Sequence, residues 1–242
     1  LCSTSKVLFY NNIFICKETP TSSGLNIQNV EHVEIINCSF TRISSRKTGP
    51  FISPLNIISS SININEEIIL IGLTFTNCYG RNPTCFSITV HNPFVLENIT
   101  VKDNSLEQFE SYLGVIDLND YMGDEIFRFK HCKWINNNMF TQYGNGAGLR
   151  IINKPKMRYE FDNCIFENNR HYKNGGGFQE GGSADNVNKI LTFKECLFKN
   201  NEAGENGGGI SIETVLPFTI EGCIFEDNHA EMGGAIYINP TY

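Results

Sequence analysis

A six-residue motif with cysteine, an aromatic residue and asparagine at fixed positions recurs in the second half of the chain. Its four copies occupy residues 132–137, 164–169, 196–201 and 223–228. Each copy is followed by a polar turn, a glycine run and a short apolar segment, as in Asn206-Gly207-Gly208-Gly209-Ile210. Paired motifs that recur in register indicate a repeat architecture, and this limits the possible folds more than any other feature of the sequence.

The first half of the chain contains degenerate copies in the same phase. Cys38-Ser39-Phe40, Thr74-Phe75-Thr76-Asn77 and Thr100-Val101-Lys102-Asp103-Asn104 lie where further copies are expected. The anchor positions are Phe40, Phe75, Val101, Trp134, Phe166, Phe198 and Phe225, and subtraction gives successive gaps of 35, 26, 33, 32, 32 and 27 residues.

This period favours one architecture. Helical repeats of similar length require a 3.6-residue apolar periodicity, which the chain lacks, and propeller blades require four strands in about 40 residues or more. Short runs of Ile, Val, Thr and Phe between Asn, Gly and Ser are typical of strands and turns. The sequence therefore predicts an all-β chain, a right-handed parallel β-helix (solenoid) of about seven coils with three strands each. Residues 1–35 are expected to form an irregular N-terminal segment or partial cap, and residues 36–242 the repeats.

Side-chain alternation predicts which motif residues face the core. The cysteine and the aromatic residue lie two positions apart and therefore point to the same side of the strand. Stacked coils would align them in two buried columns, one of Phe40, Phe75, Trp134, Phe166, Phe198 and Phe225, and one of Cys38, Cys132, Cys164, Cys196 and Cys223. The asparagines three residues after the aromatic are Asn104, Asn137, Asn169, Asn201 and Asn228. They fall at a corner, where each amide can bond to its counterpart on the next coil, and the glycine runs suit corners with positive φ.

The nine cysteines leave at least one thiol unpaired. Cysteines that share one coil position are typical of a buried column of free thiols, although stacked neighbours also lie near disulfide distance. Outside the column, Cys2 with Cys16 and Cys78 with Cys85 are candidate disulfide pairs. The sequence contains no Cys-x-x-Cys metal motif.

Composition and motifs give no indication of catalysis. The formal net charge of −7 and the pI near 5.3 argue against a nucleic-acid partner, and no apolar run approaches the roughly 20 residues of a membrane span. The five histidines are dispersed and lack metal-ligand spacing. The acidic group of Asp117, Asp120, Asp124 and Glu125 lacks the spacing of an EF-hand loop and is expected to be a solvated corner. We therefore expect no catalytic residue, no cofactor and no metal.

The alternative is a β-helix enzyme that acts on pectin-like polysaccharides. Such lyases and hydrolases require acidic residues from several coils on one strand row. The outward positions of the row after the glycines are Arg150, Gln179, Ser211 and Tyr237, followed by Ile152, Gly181, Glu213 and Asn239. No two acids are adjacent in that row, so a catalytic cleft would have to lie on another row, within residues 40–130.

The paired motifs resemble the repeat of the chlamydial polymorphic membrane proteins, and related repeats occur in large surface proteins of protozoan parasites. Phe225, Asn228 and Gly233-Gly234-Ala235-Ile236 carry the resemblance best in a single copy. It covers about residues 130–239 well and 36–130 loosely. The resemblance implies a β-helix at a cell surface with a role in contact and not in catalysis.

We therefore expect an extracellular or cell-surface module with a structural or adhesive role, which binds a protein or glycan partner through its repetitive face. Asn37-Cys38-Ser39 and Asn98-Ile99-Thr100 are acceptor triplets, so Asn37 and Asn98 are candidate glycosylation sites. Gly233 begins a glycine run and a new strand shortly before Tyr242. We expect further coils, a cap or a partner chain to cover that open edge, and self-association where it stays open.

Overall fold

The computed structural model describes residues 6–15, 25–28, 30, 32–45, 54–58, 67–80, 85–90, 95–106, 114–118, 126–139, 148–153, 158–182, 190–213 and 217–239. Every regular element in these ranges is a β-strand. None of the described residues belongs to a helix with the length and apolar character that a bilayer span requires.

The strands, numbered β1 to β30 in chain order, form five parallel sheets, A to E. Sheet A contains β1 (Lys6–Tyr10), β4 (His32–Ile36), β8 (Glu67–Ile71), β12 (Val95–Glu97), β16 (Ile126–Lys130), β20 (Arg158–Asp162), β24 (Ile190–Lys194) and β28 (Phe218–Glu221). Sheet B contains β2 (Ile13–Ile15), β5 (Ser39–Thr41), β9 (Thr74–Thr76), β13 (Thr100–Lys102), β17 (Lys133–Ile135), β21 (Ile165–Glu167), β25 (Leu197–Lys199) and β29 (Ile224–Glu226).

The other three sheets are smaller. Sheet C contains β6 (Ser44–Ser45), β10 (Tyr79–Gly80), β14 (Ser105–Leu106), β18 (Asn138–Met139), β22 (Arg170–His171) and β26 (Glu202–Ala203). Sheet D contains β3 (Leu25–Gln28), β7 (Leu55–Ile58), β11 (Phe86–Val90) and β15 (Gly114–Leu118). Sheet E contains β19 (Leu149–Asn153), β23 (Phe178–Gly182), β27 (Ile210–Ile212) and β30 (Ile236–Ile238).

The order of the strands within each sheet shows how the chain winds. Each strand pairs in parallel with the strand one repeat before it and one repeat after it, so that Phe40 pairs with Phe14 on one side and Phe75 on the other. The chain passes through sheets A, B and C and then D or E before it returns to sheet A. This is the predicted all-β, parallel β-helix. Residues 6–15, within the segment expected to be a cap, supply the first of the eight strands in sheets A and B.

The two-residue strands of sheet C are an element that the sequence analysis missed. They follow sheet B directly, as in Arg170–His171, which pairs with Asn138–Met139 and with Glu202–Ala203. A pair of residues is too short for alternation between core and solvent to be visible in a sequence. The predicted coil of three strands is therefore a coil of four where sheet C is present.

Two corners have the same length in every described coil. Two residues connect sheet A to sheet B, and two residues connect sheet B to sheet C. The first residue of each corner has a φ between 50° and 66°. At the A–B corner these residues are Asn11, Asn37, Gly72, Asn98, His131, Asn163, Glu195 and Gly222, and at the B–C corner Arg42, Asn77, Asp103, Asn136, Asn168, Asn200 and Asp227. Asparagine tolerates this left-handed backbone better than most side chains, which explains its abundance at these positions.

Stacked aromatic rings run through the core behind sheet B. Phe14, Phe40 and Phe75 stack with centroid distances of 4.8 and 4.9 Å. A second stack, Trp134, Phe166, Phe198 and Phe225, has centroid distances of 4.7, 4.8 and 4.9 Å. Val101 lies between the two stacks. The spacing equals the distance between neighbouring strands, about 4.8 Å, so the rings follow the step of the coil. All these anchors are buried except Phe14 and Phe225, which are partly buried.

The cysteine column lies beside the aromatic stack, at the A–B corner. Cys38, Cys132, Cys164 and Cys196 are buried, Cys223 is partly buried, and all five thiols are free. Leu73 and Ile99 fill the same position in the two coils between Cys38 and Cys132. Each thiol donates toward two backbone carbonyls, as Cys164 Sγ does to Phe129 O at 3.3 Å and to Asp162 O at 3.5 Å. The column therefore consists of polarisable thiols, and each S–H group, which is a weak hydrogen-bond donor, has a backbone carbonyl as acceptor.

The corner asparagines form a continuous hydrogen-bonded ladder at the B–C corner. Asn169 Oδ1 accepts from Asn137 N at 3.2 Å and from Asn137 Nδ2 at 2.9 Å. Asn169 Nδ2 donates to Trp134 O at 2.8 Å and to Asn201 Oδ1 at 3.0 Å. The same pattern joins Asn104, Asn137, Asn169, Asn201 and Asn228. Each amide therefore satisfies buried backbone groups of the corner before it.

Candidate functional site: the third face

Sheets D and E form one side of the β-helix, which we call the third face. The connections that lead into and out of this face are the ones whose length varies from coil to coil. The connections from sheet C to the third face have 9, 5, 7, 9, 6 and 6 residues, and those from the third face to sheet A have 3, 8, 4, 7, 4, 7 and 5. The other two corners are constant. Loops that vary on a constant scaffold are where proteins place binding residues, so the third face is the candidate functional site.

The outer side of sheet E carries a buried polar row. Phe178 and Ile210 point into the core, so the residues that follow them, Gln179 and Ser211, point outward. Both are nevertheless fully buried, with 0% of their surface exposed. Gln179 Oε1 and Ser211 Oγ have no hydrogen-bond partner within the described part of the chain. The sequence analysis assigned both residues to outward positions, and the structure shows that neither of them reaches solvent.

The Glu213 carboxylate joins two neighbouring coils on this face. Its Oε1 accepts from Gln179 Nε2 at 2.7 Å and from Asn174 Nδ2 at 2.9 Å, and Asn174 Oδ1 accepts from Asn206 Nδ2 at 2.9 Å. Gly181 leaves room for this arrangement, since a Cβ atom there would lie 3.1 Å from Glu213 Oε2 and 3.5 Å from an Arg150 guanidinium nitrogen. Glu213 is thereby fixed over the sheet by amide donors.

A second carboxylate, Glu180, points inward and was missed by sequence reasoning, which examined only the outward positions. It pairs in register with Ile151 and Ile212 and is 1% exposed. Glu213 N donates to Glu180 Oε2 at 3.2 Å. The signal was present in the sequence, because Glu180 lies two residues after the core residue Phe178 and therefore shares its side of the strand.

His171 lies beside the third face and is 2% exposed. It occupies the inward position of sheet C between Met139 and Ala203, and Lys173 N donates to its Nδ1 at 2.9 Å. Burial and the nearby charges of Arg150 and Lys173 lower the pKa of His171 to about 3. The imidazole is therefore neutral at physiological pH.

The side chains of the third face can form hydrogen bonds, and their positions are fixed by the contacts described above. Across the described ranges, no three His, Cys, Asp or Glu side chains come together in a way that would hold a metal ion. Glu180 and Glu213 lie on neighbouring coils but on opposite sides of sheet E. This differs from the row of acids on one face that polysaccharide cleavage would require.

Several other predicted residues lie elsewhere. Asn37 and Asn98 are exposed at the A–B corner, where an amide is accessible to modification. Of the acidic group, the backbone of Asp117 belongs to β15, while Asp120, Asp124 and Glu125 are outside the described residues, as are Cys2 and Cys16. Cys78 and Cys85 are both buried and free.

Comparison with known proteins agrees with the motif that the sequence analysis identified. The family model described as the Chlamydia polymorphic membrane protein repeat matches residues 195–213 and 222–239. These segments contain the last two motif copies and the glycine run that follows each, so the predicted resemblance is confirmed there. The comparisons found no match among curated proteins or solved structures. The last two coils are thus similar to a repeat of surface-associated chlamydial proteins.

Proposed function

We propose that the chain is a surface-associated β-helix module with a structural or adhesive role, and that the third face is its contact region for a protein or glycan partner. The observation that carries this proposal is the contrast between two corners of constant length and a third face whose connections vary from three to nine residues. A rigid stack of coils presents such loops in fixed order along its axis. The repeat match supports the surface-associated class of protein.

The polar groups of the third face suit a partner rich in hydrogen-bonding groups. Asn174 and Glu213 are only partly buried at this face, and Glu213 Oε1 accepts from Asn174 Nδ2 and from the buried Gln179 Nε2, so these hydrogen bonds fix the carboxylate and the Asn174 amide in place. Preorganised donors and acceptors reduce the entropy that binding costs. A contact that spans several coils would add many weak interactions, which is the usual basis of adhesion through multivalency.

The experiment is a binding assay with matched loop replacements. Residues 183–189, which connect β23 to β24, are replaced by a Gly/Ser segment of equal length, and the control carries Lys199→Ser and Glu226→Ser on the outer side of sheet B. Binding to host cells and to a glycan array is then measured for both proteins and the unchanged chain. We expect the loop variant to lose binding while the control keeps it. Loss in the control alone would move the contact region to sheet B.

The proposal assigns no catalytic role to the chain. Incubation with acidic and neutral polysaccharides, with and without Ca²⁺, should therefore leave the substrates intact. If the chain released oligosaccharides and Glu213→Gln stopped the release, the third face would be an active site and the adhesive proposal would be wrong.

A further inference from the structure

The glycine turns that lead to sheet E form a small ladder of their own on the third face. Residues 172–177 and 204–209 are turns of equal length that connect sheet C to sheet E. Glu205 N donates to Lys173 O at 2.9 Å, and Met232 N in the following coil donates to Glu205 O at 2.9 Å. At this amide, each of the later turns is therefore held by the turn of the coil before it.

Lys173 occupies the same position in the first of these turns, and its amide is held differently. The connection one coil earlier, residues 140–148, has nine residues instead of six. Lys173 N donates within its own coil, to His171 Nδ1 at 2.9 Å. Met139 and Ala203, which occupy the position of His171 in the neighbouring coils, have no nitrogen or oxygen acceptor in their side chains. The histidine thus lies where the ladder of turns begins.

The turn 172–177 determines how two polar groups of the third face are presented. Gly175 lies directly on the outward Gln179, since a Cβ atom on Gly175 would be 2.6 Å from Gln179 Cβ. Asn174, one residue earlier, donates to Glu213 Oε1 at 2.9 Å. The position of the turn therefore decides whether Gln179 is covered and whether the Glu213 carboxylate is fixed.

The hydrogen bond from Lys173 also fixes the proton of the imidazole. A ring nitrogen that accepts a hydrogen bond carries no proton, so the neutral ring of His171 has its proton on Nε2. A second proton would bind to Nδ1, convert it into a donor and oppose the Lys173 N–H group. The closed turn and a protonated His171 therefore exclude each other.

The charged groups that act on the imidazole are positive. Arg150 of sheet E and Lys173 of the turn both disfavour a further positive charge, and together with burial, which is the main cause, they lower the pKa of His171 to about 3. The residues that lie next to the ring along sheet C, Met139 and Ala203, carry no charge. The closed turn therefore contains the neutral ring.

The acids on the elements packed around the ring are directed elsewhere. Glu202 forms an ion pair with Arg170 at 2.8 Å on the outer side of sheet C. Glu180 of sheet E accepts from Glu213 N at 3.2 Å, and Glu205 in the next turn is exposed. These acids have another partner or face solvent, which leaves the positive charges to dominate at the imidazole.

We propose that His171 is a positioning residue of the third face. Its unprotonated Nδ1 holds the turn 172–177 closed, and a proton taken up by Nδ1 releases the turn together with the bond from Asn174 to Glu213. This rests on the proposed function, because it treats the third face as the contact region for a partner. It adds a form of regulation, in which the contact region is ordered at neutral pH and opens as pH falls.

Native-state hydrogen exchange of the unchanged chain tests the release. In the open turn the solvated imidazole has its ordinary pKa of about 6.5, so acid favours the open form. After correction for intrinsic exchange, opening at the Lys173 and Gly175 amides should increase about 30-fold from pH 8 to pH 5. Asn168 N, which donates to Lys199 O at the B–C corner of the same coil, is the internal reference. An equal increase at both places, or none at the turn, would overturn the proposal.

Two variants separate the hydrogen bond from the volume of the ring. His171→Asn offers Oδ1 as an acceptor in place of Nδ1 and cannot ionise, so the turn should stay protected at pH 8 and lose its pH dependence. His171→Met fills the position as Met139 does one coil earlier but accepts no bond. Its Lys173 amide should exchange about 10-fold faster at pH 8, as expected for one lost hydrogen bond. Unchanged exchange in His171→Met would show that the ring does not hold the turn, and Asn168 reports in both variants whether the coil is intact.

Ring spectroscopy and binding complete the test. NMR shifts of the ring nitrogens at pH 7 should show the proton of His171 on Nε2, and a proton on Nδ1 would overturn the assignment. If the unchanged chain binds cells or glycans, His171→Met should weaken that binding at neutral pH, and full binding by this variant would show that the contact does not need the closed turn. If the unchanged chain binds neither, the proposed function fails, while exchange and ring spectra still decide the role of His171.

Discussion

The N-terminal stack, residues 6–90, and the C-terminal stack, residues 126–239, share one backbone arrangement but fill it differently. Behind sheet A, the N-terminal stack uses aliphatic side chains such as Ile35 and Leu70, whereas the C-terminal stack uses Phe129, Phe161 and Phe193, stacked at 4.5 and 4.9 Å. The same backbone step thus accepts two packing solutions. Stacked coils of constant spacing require only that side chains of similar shape follow one another along the axis of the β-helix.

The corners differ as well. The B–C corner of the N-terminal stack contains Ile43 and Cys78, and that of the C-terminal stack contains the asparagine ladder. The interruption of the aromatic stack at Val101 and the first ladder residue, Asn104, fall in the same coil. The third face also changes from sheet D to sheet E after β15. All three changes coincide, so the molecule consists of two stacks joined at one coil and not of one uniform solenoid.

The largest effect is expected from removing a ring of the C-terminal stack. Phe198 lies 4.8 Å from Phe166 and 4.9 Å from Phe225 between ring centroids, and its edge meets Phe193 at 5.5 Å. Phe198→Ala should lower the free energy of unfolding in urea by about 3–5 kcal/mol, as for other buried aromatics.

The matched variant in the N-terminal stack is Phe40→Ala. Phe40 is equally buried and, like Phe198, stacks between two rings of which one is partly buried, but Phe198 also meets the Phe193 ring edge-on. We expect a loss near the lower end of the same range, about 3 kcal/mol. A loss for Phe198→Ala no larger than that for Phe40→Ala would show that the additional rings of the C-terminal stack contribute nothing.

The next largest effect is expected from removing one asparagine of the ladder at the B–C corner. Asn169→Ala removes the acceptor of two Asn137 donors and the donor to Trp134 O. A buried group left without a partner costs about 1–3 kcal/mol, so with the three groups at the low end of that range we expect a loss of about 3 kcal/mol, together with faster hydrogen exchange of the Asn137 amide. The control is Ile43→Val, which changes the same corner in the N-terminal stack and should cost about 1 kcal/mol. Unchanged exchange at Asn137 would show that the ladder does not protect the corner.

Acid should destabilise the C-terminal stack through His171. Its pKa in the folded chain is lowered to about 3, with burial as the main cause, while in the unfolded chain it is about 6.5. Below pH 6.5 the unfolded chain therefore binds a proton that the folded chain does not, and stability is lost as pH falls toward 3. Between pH 8 and 5 the loss from this group is about 2 kcal/mol.

The comparison that isolates His171 is His171→Met, since Met139 already occupies the same inward position one coil earlier. The variant should be less sensitive to pH between 8 and 5 by that amount, measured as the pH dependence of the unfolding free energy. Carboxylates titrate equally in both proteins. Identical pH profiles would mean that the imidazole is solvated before the chain unfolds.

The fold was predictable because its determinants repeat. The spacing of Phe166 and Phe198 gives the coil step, and the two-residue spacing of cysteine and aromatic assigns both to the core. The corners were predictable only in part. The sequence analysis identified the inward asparagines such as Asn169. It did not identify the preceding asparagines with a left-handed backbone, such as Asn168, because two adjacent asparagines look alike in the sequence.

The candidate site was less predictable because it is the part that does not repeat. The sequence analysis placed Gln179 opposite Ser211 in the register that the structure has, but it examined only outward positions and so missed the inward Glu180. Ser211 is buried on an outward position, which alternation along one strand does not describe.

The smallest effect concerns the outer side of sheet B, where the two stacks differ most visibly. The second and third coils present hydroxyl groups there, and Thr41 Oγ1 lies 3.2 Å from Thr76 Oγ1, whereas the first coil presents the exposed Ile13 and Ile15 and the C-terminal stack presents Leu197 and the 60% exposed Ile224. Thr41→Val keeps a β-branched side chain of similar size and removes one cross-strand hydrogen bond, so the free energy of unfolding should change by about 0.2–1 kcal/mol. Because stability is nearly preserved, a loss of cell binding in Thr41→Val would reflect direct contact. That result would assign binding to the hydroxyl row of the N-terminal stack and contradict the assignment to the third face, while unchanged binding would leave the loops of that face as the contact region.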